Sequence, residues 1–189
     1  DASELLQAES TQFRRTGPYS EVEVMCQNLA KKYSEFVRCL TIGNSAEGRP
    51  IMALAVSRTG VLTPAQAKRA GIPVVLAIGG THAGEIDGKD AGLMLIRDML
   101  KKPPAKDPLK HQVFLFVPVF NVDGHERPSP FNRPNQNGPS LQGERVTAQR
   151  INLNRDWMLG QTSEMNAMLQ FITQWDPLVT LDLHVTDGV

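Results

Sequence analysis

Apolar residues recur at Val22, Met25, Cys26 and Leu29, with charged side chains between them. That spacing predicts an amphipathic helix over residues 19–34. Two short runs follow, 36–43 (FVRCLTIG) and 51–57 (IMALAVS), and both read as strands. The segment between them, NSAEGRP, is made of turn formers, so the pair is expected to be a hairpin. Residues 73–79 (PVVLAIG) are continuously apolar, as a strand buried on both faces requires. A helix is predicted over about 86–101, with Ala91, Leu95, Asp98 and Met99 along one side. Lys101 and Lys102 suit its C-terminal end. Residues 112–120 (QVFLFVPVF) read as a second buried strand, 163–175 as a helix and 178–184 (LVTLDLH) as a further strand.

Strands alternating with helices predict an α/β fold on a largely buried, mixed, mostly parallel twisted sheet with helices on both faces. A chain of 189 residues suffices for one domain with its own core, so residues 1–189 are expected to form a single domain. Twenty basic and twenty acidic side chains cancel, which removes any global pull towards nucleic acid or an anionic membrane. The longest strongly apolar runs, 74–78 and 113–117, fall far short of the roughly 20 residues that span a bilayer. Two cysteines, Cys26 and Cys39, cannot make a disulfide framework. Two small buried thiols are the simpler expectation; a single bridge, with the oxidising compartment it implies, is the other. The chain begins at Asp1 and not at a methionine, so a processed form or a fragment is expected. His184 lies five residues before Val189, and a C-terminal part is expected beyond it.

The chemistry gathers at strand ends. His82 and His184 each follow a predicted buried strand, where ligands bind in α/β sheets. Glu85 stands three residues after His82. Two imidazoles and one carboxylate are the ligand set of a catalytic zinc with one position open for water. The alternative is a helix-capping Glu85 and two histidines satisfied within the protein. Gly79, Gly80 and Gly84 would let the backbone turn sharply beside a ligand.

Residues 121–150 form a long stretch without periodicity, and such loops are often functional. From Asn121 to Asp156 there are five arginines (Arg127, Arg133, Arg145, Arg150 and Arg155) and no lysine. A planar fork grips a carboxylate at two points, so this preference points to an anion. Surface pairing with Glu126, Glu144 and Asp156 is the competing reading, notably for Arg127, Arg133 and Arg150.

Four segments, in order, resemble the zinc metallocarboxypeptidases of the carboxypeptidase A-like family. GGTHAGEIDG holds the first metal motif, and NVDG at 121–124 resembles the family's N-P-D-G turn. NLNRDW at 152–157 matches its N-R motif, and LDLH at 181–184 the strand bearing the last ligand. The resemblance runs from about Thr41 onwards and implies a carboxypeptidase A-like α/β/α fold. It implies one zinc ion held by His82, Glu85 and His184. It implies that Asn154 and Arg155 bind the free C-terminal carboxylate of a peptide substrate and that Arg145 stabilises the oxyanion. Asn152 stands where many members have an aspartate supporting a metal-bound histidine. The family's general-base glutamate, capping tyrosine and side-chain pocket belong to a later part absent from this sequence, and by motif Glu126 and Glu144 do not replace the base.

Together these readings predict zinc-dependent hydrolysis of the C-terminal peptide bond by a metal-activated water, with weak or no turnover by these 189 residues alone. A zinc deacylase of acylated amino acids and a non-catalytic zinc-binding fragment are the alternatives. A secreted or periplasmic location is expected, with no nucleic-acid or membrane partner and self-association through exposed sheet edge.

Overall fold

A computed structural model describes residues 5–102 and 107–185. The chain opens with the short helix α1 (Gln7–Ser10) and the longer α2 (Tyr19–Lys32), which buries Val22, Met25, Cys26 and Leu29 as their spacing requires. Strands β1 (Val37–Asn44) and β2 (Pro50–Val56) form the expected antiparallel hairpin. Helix α3 (Pro64–Ala70) follows, capped by the Thr63 hydroxyl and with proline at its first position. Next come β3 (Val74–Gly79), α4 (Asp87–Lys101), a 3-10 turn (Pro108–Lys110) and β4 (Val113–Val117). The chain continues through α5 (Val122–His125), a second 3-10 turn (Leu153–Arg155), α6 (Ser163–Trp175) and β5 (Val179–Leu183).

The strands form one sheet in the order β1-β2-β4-β3-β5. β2 is antiparallel to both its neighbours, while β4, β3 and β5 are mutually parallel. Four strands therefore run one way and β2 alone runs against them, a mixed sheet as expected. Cys39, Leu54 and Phe116 lie opposite one another in register and share a face. α2 reaches that face through Cys26, and α4 through Gly92, where a Cβ would collide with the Phe116 ring. A bulge between Thr41 and Gly43 turns Gly43 to the other face, where it meets Ala167 of α6. Helices thus cover both faces.

Two expectations change, and the inward face of α4 becomes clear. Cys26 and Cys39 are joined in a disulfide between α2 and β1. In α4, Gly92, Leu93, Ile96, Arg97 and Leu100 face inward, Ala91, Leu95 and Asp98 face outward, and Met99 is half-buried against the core. Arg97 enters because its guanidinium grips both oxygens of Glu9, at 2.6 and 2.9 Å, so the charge is paired before it is buried. β2, β3 and β4 are buried, but β5 is not: among the described residues it pairs only with β3, at the sheet edge, leaving Val179 44% and Leu181 46% exposed. α1 and α3, for which the apolar pattern gave no signal, are both short.

Candidate metal centre

Register brings the donors together. β3 and β5 are adjacent and parallel, with Gly79 opposite Leu183, so both strands release their chains at the same end of the sheet. His184 comes directly after Leu183, and His82 three residues after Gly79. The turn needs Gly80, whose φ is +58° and where a Cβ would come within 3.1 Å of Val119 Cα. The Glu85 N–H donates to the His82 carbonyl at 3.0 Å, closing a tight turn that sets both side chains on one side. Asp182 joins the two exits: its Oδ1 accepts from Thr81 Oγ1 at 3.1 Å and lies 3.0 Å from His184 Nδ1.

His82, Glu85 and His184 each present a donor atom within 4.8 Å of the others, and the imidazoles meet edge to face at 4.8 Å between centroids. His82 and Glu85 are buried; His184 is more open. His82 Nδ1 lies 3.0 Å from Glu85 Oε1, and its Nε2 lies 3.0 Å from Asn152 Oδ1. That Asn152 oxygen also accepts the Asn154 backbone N–H at 3.0 Å. An amide N–H can only donate, so the Asn152 atom facing both groups is oxygen and His82 Nε2 carries a hydrogen. Nδ1 is thereby left as the nitrogen that faces Glu85 and the one that could donate to a metal.

Burial by itself would raise the Glu85 pKa. The His82 hydrogen bond, the Val185 N–H at 2.9 Å and the Arg133 charge outweigh it and bring Glu85 down to about 2. The carboxylate is thus ionised across the physiological range, as a metal ligand must be. Two imidazoles and one ionised carboxylate are a donor set that suits zinc.

The arginines divide. Arg127 pairs with Glu47 and Arg150 with Glu144, the surface reading. Arg133 does not fit that reading: it is 4% exposed, and its Nη2 lies 2.8 Å from Glu85 Oε1. Sequence spacing could not place it there, since it sits on an aperiodic loop. Arg145 Nη1 stands 3.9 Å from the same oxygen, with its side chain 44% exposed. Asn154 and Arg155 lie on the 3-10 turn that Asn152 caps, immediately beside His82. Arg155 is exposed, with Nη1 donating to the Asn154 carbonyl at 3.0 Å. Glu126 receives the Tyr19 N–H and faces His125, while Glu144 meets Arg150, so both loop glutamates are engaged elsewhere.

A surface groove of about 870 Å³ lies between α3 and the turn from α6 into β5. It borders the start of β3 and shares no residue with the donor cluster. The donors occupy the opposite end, beyond the carboxyl ends of parallel strands, where α/β sheets bind ligands.

Fold and site define an α/β protein in which His82, Glu85 and His184, a group that could hold a metal ion, meet at the ends of two parallel strands. The chain belongs to the zinc carboxypeptidase family, whose sequence model matches residues 22–163. Carboxypeptidase D of Mus musculus is 26% identical over 114 residues, and human carboxypeptidase D likewise; the match covers 58% of this chain and 8% of theirs. Among solved structures, carboxypeptidase A from Helicoverpa armigera superposes with a TM-score of 0.71 at 22% identity, over 92% of this chain and 47% of that one. A metallo-carboxypeptidase from Burkholderia cenocepacia gives 0.65 at 24% identity, over 91% and 42%. Bovine thrombin-activatable fibrinolysis inhibitor, solved with a tick carboxypeptidase inhibitor, gives 0.64 at 18%, over 92% and 62%. The chain therefore spans less than half of the insect enzyme's length. Among the described residues no helix is long and apolar enough to cross a membrane.

Proposed function

We propose that this chain is the metal-holding and carboxylate-recognising part of a zinc carboxypeptidase, which removes residues from the C-termini of peptides. The observation that carries the reading is the convergence of His82, Glu85 and His184 within 4.8 Å at two adjacent parallel strand ends. A zinc ion bound there would supply a water of lowered pKa and polarise the scissile carbonyl.

The chain's own residues account for the remaining requirements. Asn152 orients His82 through Nε2. Asn154 and Arg155 stand on the adjoining turn, where an amide and a guanidinium fork can hold a terminal carboxylate one residue from the bond to be cut. Arg145 is the oxyanion partner that the sequence proposes, and Arg133 adds a second guanidinium beside the same carboxylate. Preorganised positive charge in a partly dried site stabilises the charge that develops during attack. The Cys26–Cys39 disulfide supports export to a secreted or periplasmic setting.

The test is to titrate the chain with zinc and incubate it with a short peptide carrying either a free or an amidated C-terminus, following product masses. One bound zinc, with stepwise shortening of only the free peptide that a chelator abolishes, is the expected behaviour of the competent enzyme. Zinc bound without cleavage would restrict this chain to metal and carboxylate binding. Cleavage confined to acylated single amino acids would move the assignment to a deacylase. No zinc bound would end the proposal.

A further inference from the structure

One oxygen of Glu85 is crowded with positive charge. Its Oε1 lies 2.8 Å from Arg133 Nη2 and 3.9 Å from Arg145 Nη1, besides 3.0 Å from His82 Nδ1. Arg133 is 4% exposed, and the loop is arranged around it. Its Nε donates to Gln136 Oε1 at 3.1 Å, and the Gln136 amide donates to the carbonyls of Gly84 at 3.0 Å and Gly138 at 2.8 Å. The arginine stem lies across Gly84: a Cβ there would come within 2.9 Å of Arg133 Cγ and 2.8 Å of the Gly143 carbonyl. Glycine inside the metal motif thus makes room for a cation that reaches the metal's own carboxylate.

We propose that Arg133 is a built-in counter-ion of the metal site, holding Glu85 in the metal-free protein and competing with zinc for it. This inference rests on the zinc reading above. A buried carboxylate without a cation is costly, so the metal-free site needs one, and a guanidinium fork anchored by Gln136 provides it. The charge that stabilises the empty site opposes the incoming dication. Arg133 therefore lowers zinc affinity and keeps the site in shape before loading. An outer partner that merely supports a ligand acts in the opposite sense, because losing it weakens metal binding about 10–100-fold. The sign of the effect separates the two.

The experiment measures zinc affinity by competition with a chromogenic chelator for the whole chain and for Arg133→Met, Arg133→Lys and Arg145→Met, together with the melting temperature of chelator-stripped protein. Arg133→Met keeps the stem over Gly84 and removes the charge. It should bind zinc about tenfold tighter and melt lower when stripped. Arg133→Lys keeps the charge and should stay within about threefold of the parent, and Arg145→Met should change affinity less than Arg133→Met. Equal or weaker zinc binding by Arg133→Met overturns the inference, as does equal tightening by Met and Lys. If Arg133→Met folds only with zinc present, its release of zinc to excess chelator is timed instead: slower release than the parent supports the inference, equal or faster release overturns it. A parent chain that binds no zinc overturns both this inference and the proposed function, whereas a parent that binds zinc with Arg133→Met no tighter overturns this inference alone.

Discussion

Asn152→Ala tests how the site is held, because one oxygen there does two jobs. Asn152 Oδ1 accepts His82 Nε2 and the Asn154 N–H, both at 3.0 Å. Removing it leaves the Nε2–H of a histidine only 2% exposed without its partner, at a cost of about 1–3 kcal/mol. It also uncaps the turn bearing Asn154 and Arg155, by analogy with helix N-caps about another 1 kcal/mol. The imidazole, free to rotate or to move its proton to Nδ1, presents the metal with the wrong nitrogen part of the time. Zinc affinity should fall about 10–100-fold, or about 1.4–2.8 kcal/mol. Asn152→Asp keeps an acceptor at both positions and should not weaken zinc. The assay is a chelator competition beside a thermal melt of the stripped protein. Zinc bound as tightly by Asn152→Ala as by the parent, or lost equally in Asn152→Asp, would refute the reasoning.

Three further outcomes follow from other parts of the molecule. The disulfide spans 13 residues, so reduction should cost about 3 kcal/mol and lower Tm by roughly 6–12 °C; an unchanged Tm in protein shown by mass to hold two thiols would refute it. Stability should fall on acidification: burial holds His125 below its usual pKa, and its Nε2 already faces Lys89 Nζ at 3.4 Å, with Asp90, Glu126 and Tyr19 around it. Because the folded pKa is depressed, that stability is complete above about 6.5 and is lost as pH falls through the folded value. Glu126, held low first by its His125 hydrogen bond, adds a further loss below about 4.5; melts from pH 4 to 7.5 should show a slope that His125→Asn flattens, and equal slopes would count against it. Arg155→Met should weaken binding of a free-carboxylate peptide on the order of 100-fold, with little change in zinc affinity; equal peptide binding by parent and variant would reject the anchoring role.

Much of the architecture was legible because it rests on local periodicity. The helix at 163–175 and both hairpin strands lie where the sequence places them, since apolar spacing and turn formers act over a few residues. The donors were legible for another reason. His82 and His184 follow apolar runs, and in a parallel sheet such runs end on the same side whatever the loop lengths. The inward side of α4 was not legible, because Arg97 reads as surface until Glu9, 88 residues away, is known to pair with it. Nor was the exposure of β5: an apolar run is the same in a central strand and at a sheet edge, and only the strand order tells them apart.

The arginine loop sets the limit. Its composition pointed to an anion, and a buried arginine does grip one, but that anion is Glu85 of the protein itself. No periodicity runs through 121–150; the turns are fixed by side chains such as Asn132, whose amide donates to the carbonyls of Arg127 and Gln142. Which of five arginines enters the site is decided by those bonds and by the space over Gly84, both long-range. The same reasoning explains why a glycine should stand between His82 and Glu85. A larger residue at 84 would crowd the Arg133 stem and the Gly143 carbonyl and loosen the guanidinium's hold on the buried carboxylate. The site would then depend on zinc to form, instead of waiting for it in place.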